Sequence, residues 1–543
     1  MNGITTARNR WARLGLIGTV VFLSGCAVGP KYARPVVPTP ADYKEQTVPS
    51  GTAAGGWKTA QPKDQGLRGK WWELFNDTQL NALEERVDVS NQSLKAVEAQ
   101  FRQARALVRS SRAGYYPTIT AGPSITALHP SANQSLRPSV SAGTFAEYVL
   151  PADLSYEADV WGRVRRTVEA SGASAQASAA DLETARLSIH AELAADYFTL
   201  RALDAERQLL DSTVAAYVKA LELTKNRHDS GIASGADVAQ AETQLETTRA
   251  QAVDVGPQRA QFEHAIALLT GQAASAFSIS PLPIGGPPPE IPAGVPSELL
   301  ERRPDIAAAE RRVAAANAQV GIAKTAYFPA LTLAASTGFE STRLASLFTG
   351  PSGLWSFGPS LVQTLFDGGR RRALSDQAQA AYDATVATYR ENVLTAFQEV
   401  EDNLAALRIL AEEAQVQDTA VNSAERSLEV STNRYNGGVV TYLEVVSAQS
   451  TLLANKRTAV DILRRRMTAS VLLIKALGGG WDAANLPAAK DLISRSTSEF
   501  DGFSPAATKS DFHRWVVPGS ARILRAQLVS AEIVSTLEAC APS

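Results

Sequence analysis

The side chains that could do chemistry are few in this sequence, and their spacing suits no catalytic site. The 543 residues include two cysteines and five histidines. The histidines, His190 among them, lie too far apart for the short, repeated spacings of a metal site. Gly478-Gly479-Gly480 follows a helical pattern and is typical of a helix end, not of a phosphate-binding loop. The sequence therefore predicts no enzyme and no metal or cofactor site.

The charge balance excludes a simple nucleic-acid binder. Lys and Arg number 53 and Asp and Glu number 55, which gives a net charge of −2. No field of one sign can therefore cover the whole surface. With 45% hydrophobic and 20% charged residues, the chain also falls outside the composition of wholly disordered proteins. A folded protein without a nucleic-acid partner is expected.

One cysteine does carry a predicted chemistry. Arginines near the N-terminus precede the apolar run Leu14–Leu23, which is too short to span a bilayer and is typical of a secretory signal. The run ends at Leu23-Ser24-Gly25-Cys26, which resembles the bacterial lipobox, so Cys26 is the predicted lipidated first residue of the mature chain. Because Ala27 follows in place of the aspartate of an inner-membrane retention signal, the outer membrane is the expected location. A signal peptide that ends by chance at a cysteine is the alternative.

An internal duplication is the strongest signal in the sequence. Arg227 and Gly231 match Arg434 and Gly438, 207 positions further on. Other glycines and arginines keep the same offset over about a hundred residues, which shared composition alone would not produce. Upstream, a Tyr-Tyr-Pro segment at 115 matches Tyr-Phe-Pro at 327, at an offset of 212. The body is therefore predicted to consist of two copies that differ in length between these two regions.

The duplication and the composition together predict the domain organisation. A Pro- and Gly-rich stretch separates the two copies, and a second such stretch follows Cys26, where it is expected to form an extended leash. The predicted segments are the signal peptide 1–25, the leash 26–70, repeat 1 at 71–272, the linker 273–296, repeat 2 at 297–480 and a C-terminal extension at 481–543. No structure or function is assigned to the extension or to its Cys540.

Two hydrophobic periods alternate inside each copy. Apolar and small residues follow a strict heptad through Val393–Tyr435, which predicts supercoiling against partner helices. The helix predicted from about Arg371 to Tyr435 would be a rod of roughly 100 Å. Segments of period two predict strands, in which an apolar face alternates with a polar one as in outer-membrane barrels. These strands are placed at 117–128, 148–159, 329–340 and 355–366. A soluble strand pair is the alternative, but four strands cannot close a barrel, so other subunits must complete them.

In combination, these motifs resemble those of the TolC/OprM outer-membrane factors, which serve RND-type tripartite pumps. The resemblance rests on the lipobox, the duplicated helix–strand–strand–helix units, the Tyr-Tyr-Pro segments, and the motifs Tyr156–Arg163 and Leu365–Arg370. It implies a mainly α protein with transmembrane β structure. In that fold, three chains share one 12-stranded β-barrel, which continues into a periplasmic α-helical tunnel.

The Arg-x3-Gly segments are predicted helix hairpins with good caps. The resemblance adds that these turns meet the periplasmic adaptor protein of the pump. The residues concerned are Arg227, Gly231, Gly235, Asp237, Arg434, Gly438 and Thr441.

The resemblance also implies a periplasmic gate of acidic side chains just after the second turn. Glu444 occupies the first matching position, where three symmetry-related carboxylates would repel one another and attract cations. Ser447 occupies the second, which leaves a two-ring acidic gate in doubt. Tyr442, together with apolar neighbours, is a candidate for part of the constriction. An ordinary solvated Glu444 is the alternative.

The function implied by the resemblance is passive export. The chain is expected to be the outer-membrane channel of a tripartite efflux system, a homotrimer that binds an adaptor and an inner-membrane pump. An exit duct for secreted peptides or glycans is one alternative. A periplasmic coiled-coil scaffold lipoprotein without a pore is another. The substrate and the class of pump are not predicted.

Overall fold

Helices make up most of the computed structural model, which describes residues 28–45, 69–129, 144–292, 294, 296–488 and 491–492. Within these residues, the helices longer than two turns are α1 (Thr78–Ser90), α2 (Gln92–Ala113), α3 (Arg163–Asp229), α4 (Gly235–Leu269), α5 (Pro304–Thr325), α6 (Arg370–Asn436) and α7 (Tyr442–Ala476). A single helical turn at Leu299–Arg302 precedes α5. None of the helices described is long and apolar enough to cross a membrane.

The two halves of the chain repeat one another helix for helix. Helices α3 and α6 both have 67 residues and begin at 163 and 370, 207 positions apart. Helices α4 and α7 both have 35 residues and keep the same offset. Helices α2 and α5 both have 22 residues and begin 212 positions apart. These are the offsets found in the sequence, so the predicted duplication is confirmed.

The long helices α3 and α6 are each about 100 Å long. In α6, every position of the predicted heptad from Ala396 to Tyr435 is buried or half-buried in the single chain. A 3.5-residue repeat keeps one stripe of a helix facing its neighbours, and α6 uses this stripe to pack beside α5 and α7. The predicted long rod, packed on its neighbours through the heptad stripe, is therefore confirmed.

In the part of the chain that the structure describes, five strands form one antiparallel sheet. They are β1 (Thr118–Ala121), β2 (Ser124–Leu128), β3 (Phe145–Ala158), β4 (Ala330–Ser341) and β5 (Gly353–Val362). Both β1 and β2 pair with β3, β3 pairs with β4, and β4 pairs with β5. Because β1 and β2 occupy successive stretches of the same edge, the sheet has four strand positions. One edge is formed by β1 and β2, and the other by β5.

The rows across the sheet alternate between apolar and polar side chains. One cross-strand row consists of Ile119, Leu154, Ala335 and Phe357. The next consists of Thr120, Asp153, Ser336 and Ser356. On the apolar face, Ile119 and Phe357 are 70% exposed in the single chain and Trp355 is 82% exposed. An apolar face in lipid and a polar face toward water is the arrangement of an outer-membrane barrel wall.

Two predicted strands have different limits in the structure. The strand predicted at 117–128 is interrupted at Gly122-Pro123, opposite Leu150-Pro151 on β3, where prolines lack the N–H groups of a regular ladder. The strand predicted at 355–366 ends at Val362. Beyond it, the Asp367 carboxylate accepts hydrogen bonds from the N–H groups of Gly369 and Arg371 and turns the chain into α6.

The N-terminal part of the predicted leash is packed on the body. Residues Val28–Glu45, here called the strap, begin where the Val28 N–H donates to the Trp161 carbonyl just after β3. Farther along, Tyr43 is buried, and the Glu401 carboxylate on α6 accepts hydrogen bonds from the N–H groups of Lys44 and Glu45. The strap is extended as predicted, but it is held along its length.

Candidate functional site at the helix turns

The turns between the long helices have one shared geometry. In the first, the Ile232 N–H donates to the Arg227 carbonyl at 2.8 Å, and the Gly231 N–H donates to the His228 carbonyl. This is a Schellman motif, which needs a left-handed residue at the position of Gly231, where φ is 76°. In the second turn, Gly438 has φ 72° and the Val439 N–H donates to the Arg434 carbonyl. The Arg-x3-Gly spacing is therefore the spacing of a helix C-cap.

Arg227 connects the two turns. Its guanidinium lies 4.6 Å from the centre of the Tyr435 ring and donates to the carbonyl oxygens of Tyr435 and Asn436. These carbonyls belong to the C-terminal end of α6, where a cation is favoured by the helix dipole. An arginine of repeat 1 thus caps a helix of repeat 2 and combines a cation–π contact with charge-assisted hydrogen bonds.

The helices after the two turns begin differently. At α4, Ser234 and Asp237 form a reciprocal capping box, in which each side chain accepts a hydrogen bond from the other's backbone N–H. At α7, Thr441 is the N-cap residue and Glu444 lies three residues later, but the Thr441 side chain makes no cap hydrogen bond. The Glu444 carboxylate instead accepts from Arg434 at 3.3 Å.

The proposed gate residues lie at the start of α7. Glu444 and Ser447 are exposed one helical turn apart. They line a cleft of about 210 Å³ between α6 and α7, together with further hydroxyl-bearing and small residues. The Arg434 and Glu444 side chains are each about half exposed, so the net contribution of this ion pair to stability is small.

Tyr442 does not have the position that the sequence analysis expected. It is 3% exposed and packs against Tyr435, with ring centres 5.2 Å apart, inside a cluster that also contains Ala241 and Val445. It is the first residue of α7, on the side that faces the neighbouring helices, so it cannot present its ring to a lumen in this structure. Leu443, at 57% exposure, has the outward position instead.

Sequence reasoning missed two residues at the turns. Ile232 and Val439 each follow the left-handed glycine, and they are 68% and 69% exposed. They are 207 positions apart, so the repeat offset alone could have paired them. Gly235, by contrast, is not required by the backbone, because a Cβ there would meet only the His228 ring at 3.9 Å.

The predicted lipidation residue, Cys26, lies outside the described residues. The chain is described from two residues later, where Val28 is fixed beside Trp161 at the end of the sheet. Trp161 stacks on Phe328, and its indole N–H donates to the Pro329 carbonyl just before β4. Tyr116 lies in the segment that leads from α2 into β1, Tyr327 lies in the equivalent segment between α5 and β4, and both are exposed. Aromatic rings of this kind are typical of a membrane–water boundary.

A sheet with an apolar face, continued by helices about 100 Å long that end in paired polar turns, defines the subunit of an outer-membrane channel. The chain belongs to the outer membrane efflux protein family, which it matches over residues 84–272 and 295–479. Family members are efflux components of the outer membrane that extend into the periplasm, and this chain is one of them.

Individual relatives agree with this assignment. The chain is 34% identical over 467 residues to the toluene efflux pump outer membrane protein TtgF of Pseudomonas putida, covering 86% of this chain and 96% of TtgF. It is 33% identical to the outer membrane protein OprJ of Pseudomonas aeruginosa, over 85% of this chain and 94% of OprJ. The solved structure of the outer-membrane channel OprN superposes with a TM-score of 0.76 at 29% identity, covering 84% of this chain and all of OprN.

Proposed function

We propose that this chain is the passive exit duct of a tripartite efflux system. Three copies form one 12-stranded barrel in the outer membrane and one helical tunnel in the periplasm. A periplasmic adaptor and an inner-membrane pump supply the substrate and the energy, and the duct itself performs no chemistry. Small toxic molecules such as solvents and antibiotics are the proposed substrates, because relatives are named as toluene and antibiotic efflux components.

The observation that carries this proposal is the unfinished sheet. Its two edges, at β1 and β5, lack a partner among the described strands, while one face is predominantly apolar. Unpaired backbone N–H and C=O groups are not tolerated in lipid. Joining the β5 edge of one copy to the β1 edge of the next satisfies both edges, and three copies of four strand positions give twelve strands.

The turns are the proposed docking surface for the adaptor. They lie at the ends of the long helices farthest from the sheet, and each presents an exposed aliphatic residue, Ile232 or Val439, among polar caps. An apolar side chain ringed by polar groups is typical of a protein contact. Arg227, Gly231, Asp237, Arg434, Gly438 and Thr441 are proposed to shape this surface, and Gly235 to lie within it.

Glu444 of each copy is proposed to constrict the entrance, with Ser447 beside it. Leu443, which is exposed, is proposed to take the part in the constriction that the sequence suggested for the buried Tyr442. Acyl chains on Cys26 are proposed to anchor the same end of the molecule that carries the sheet. The position of Val28 beside Trp161 supports this, because only Ala27 lies between Val28 and Cys26.

Sensitivity of cells tests the efflux assignment. A strain that lacks the gene is complemented with the wild-type chain or with Glu444→Ala and exposed to a panel of solvents and antibiotics. Loss of the gene should lower the tolerated concentration of several compounds, and the wild-type chain should restore it.

Two outcomes would favour the alternatives. If tolerance of every compound stays unchanged while a secreted peptide or glycan accumulates in the periplasm, the duct serves secretion. If the extracted protein is a helical rod without heat-resistant trimers, a scaffold without a pore is the better description.

A further inference from the structure

Within one chain, the two repeats contact each other in two places. The first contact is the strand pair β3–β4. The second is the packing of α3, which follows β3, against α5, which leads into β4. In this seam, Gly321 of α5 lies against the Arg166 side chain of α3, and Arg312 of α5 pairs with Asp181 of α3 at 2.6 Å. The two helices are antiparallel.

The duplication gives this seam a counterpart that one chain cannot form. The equivalent of α3 is α6, which follows β5, and the equivalent of α5 is α2, which leads into β1. Because β5 and β1 are the opposite edges of the sheet, α6 and α2 lie at opposite sides of the subunit. Their seam faces are therefore free to meet only across a boundary between two copies.

We propose that α2 of one copy packs on α6 of the next in the geometry of the α3–α5 seam, and that Arg102 pairs there with Asp383 and Arg109 with Asp376. This inference rests on the proposed trimer and names the side chains that select the neighbouring copy and set its register.

The positions follow from the offsets. Arg109 is equivalent to Gly321, which contacts Arg166 in the internal seam, and Asp376 is equivalent to Glu169, which pairs with that same Arg166 at 2.7 Å. Seven residues before Arg109 on α2, Arg102 is equivalent to the buried Ala314. Asp383 is equivalent to Gln176, whose side chain accepts a hydrogen bond from Arg311 of α5. Both proposed pairs thus transfer from positions at the internal seam: Gly321 and Glu169 share Arg166 as a neighbour, and Ala314 lies one turn from Arg311, the partner of Gln176.

The charges fit in only one register. Arg102 and Arg109 are seven residues apart on α2, and Asp376 and Asp383 are seven residues apart on α6. Residues seven apart lie on one face of a helix, and antiparallel packing then matches the lower arginine with the lower aspartate. All four side chains are exposed in the single chain. Among the described residues, the side chains of Arg102, Arg109 and Asp376 make no hydrogen bond or ion pair, and the Asp383 carboxylate accepts one hydrogen bond, from Gln379 at 3.1 Å.

Cysteine pairs test the register in the full-length lipidated protein. In a Cys540→Ser background, Arg109→Cys is combined with Asp376→Cys, and Arg102→Cys with Asp383→Cys. The mismatched combination of Arg102→Cys with Asp376→Cys is the control, because it uses the same helices one heptad, about 10 Å, out of register. Mild oxidation should join neighbouring copies in both registered pairs, with about ten-fold less product from the control because disulfides tolerate little separation.

The outcomes separate this inference from the proposed function. The wild-type chain is first examined for its oligomeric state by native mass spectrometry. A wild-type protein that is not a trimer contradicts the proposed function and this inference with it. Trimers whose mismatched pair cross-links as well as the registered pairs, or whose registered pairs give no product or join other proteins, contradict the inference alone. As a second readout, Asp376→Arg should lower the temperature at which trimers dissociate, and adding Arg109→Asp should restore it.

Discussion

Arg227 and Arg434 occupy equivalent places in the two repeats, but the structure gives them different partners. Each closes the same C-cap through its own carbonyl oxygen. The guanidinium of Arg227 reaches the end of α6, whereas that of Arg434 pairs with Glu444 within its own hairpin. The cap geometry follows from local spacing and could be predicted from the sequence. The partners depend on where the neighbouring helix ends, which no local pattern contains.

Arg227→Ala should loosen the turns without unfolding the helices. The substitution removes one cation–π contact and two hydrogen bonds from a cation to carbonyl oxygens, a local loss of about 1–3 kcal/mol. We expect a higher mean single-channel conductance in planar bilayers. Arg249→Ala, which breaks an exposed pair with Glu246 in mid-helix, is the control and should leave conductance unchanged. Equal conductance of all three proteins would show that Arg227 does not restrain the entrance.

His190 has a structural role that sequence reasoning missed. Its imidazole is 2% exposed, lies 2.6 Å from the Glu84 carboxylate of α1 and stacks on Trp72. Burial opposes its charge, but hydrogen bonds to Asp88 and Glu84 prevail and raise the pKa of His190 from 6.5 to about 9. Burial raises the pKa of Glu84 from 4.5 to about 7. The signal was absent from the sequence because His190 and Glu84 are 106 positions apart.

These shifts predict that the cluster stabilises the fold less as pH rises. Both groups hold protons more tightly in the folded state, so unfolding free energy falls between about pH 4.5 and 7 through Glu84 and between about 6.5 and 9 through His190. We expect a loss on the order of 4 kcal/mol from pH 6 to 9.5, measured by thermal unfolding. The double variant Glu84→Gln with His190→Gln should flatten this dependence. A wild-type stability that rises over this range would contradict the assignment.

At the scale of elements, the helices were more predictable than the strands and the strap. The strict heptad defines α6, and the constant offset defines α3 as its counterpart, because a long helix repeats one local geometry. The break between β1 and β2 and the early end of β5 depend instead on Pro151 across the sheet and on the Asp367 turn. The strap lacks periodicity, so its docking on Glu401, 356 positions from Glu45, could not be predicted from the pattern.

Gly338→Ala should block assembly of the sheet. Gly338 is paired with Pro151 on β3, and a Cβ at residue 338 would lie 2.1 Å from the Leu150 carbonyl oxygen. That contact is with backbone, so no side-chain movement can relieve it. We expect heat-resistant trimers to disappear from outer-membrane fractions. Gly358→Ala on β5, where the added Cβ would meet nothing within 4 Å outside its chain neighbours, is the matched control and should retain them. Trimers of Gly338→Ala at wild-type yield would refute the argument.

Part of the predicted C-terminal extension, within residues 481–488 and 491–492, contributes to the fold. Leu492 is 1% exposed and packs with Val108 of α2 and Ala175 of α3. A chain stopped after Gly480 should lose about 2 kcal/mol from this side chain alone and unfold at a lower temperature. A chain stopped after Ile493 keeps Leu492 and serves as the control. Equal unfolding temperatures for the two truncated chains would contradict a structural role for this segment.

At the scale of the whole molecule, a single chain leaves three kinds of surface unsatisfied. The sheet edges need hydrogen bonds, the apolar sheet face needs lipid, and the seam faces of α2 and α6 need a neighbour. The first two were predicted from strand number and alternation, since four strands cannot close. The Arg–Asp pairs proposed between α2 and α6 required both the sequence offsets and the contacts between α3 and α5, so the sequence alone could not predict them.

The aliphatic residues of the two turns should matter only in the assembled pump. Ile232 and Val439 are about two-thirds exposed and do not belong to the buried cluster around Tyr442. Replacing both by Asp places charges on the surface that an adaptor would bury. Removing a charge from water without giving it a partner has a high free-energy cost, so binding should weaken. We expect complemented cells to lose the tolerance of solvents or antibiotics that the wild-type chain restores, while heat-resistant trimers stay at wild-type yield. Asp229→Asn, an exposed polar change in the first turn, should leave both unchanged. Wild-type efflux from the double variant would mean that the adaptor docks without these residues, and loss of trimers would mean that the turns act in assembly instead.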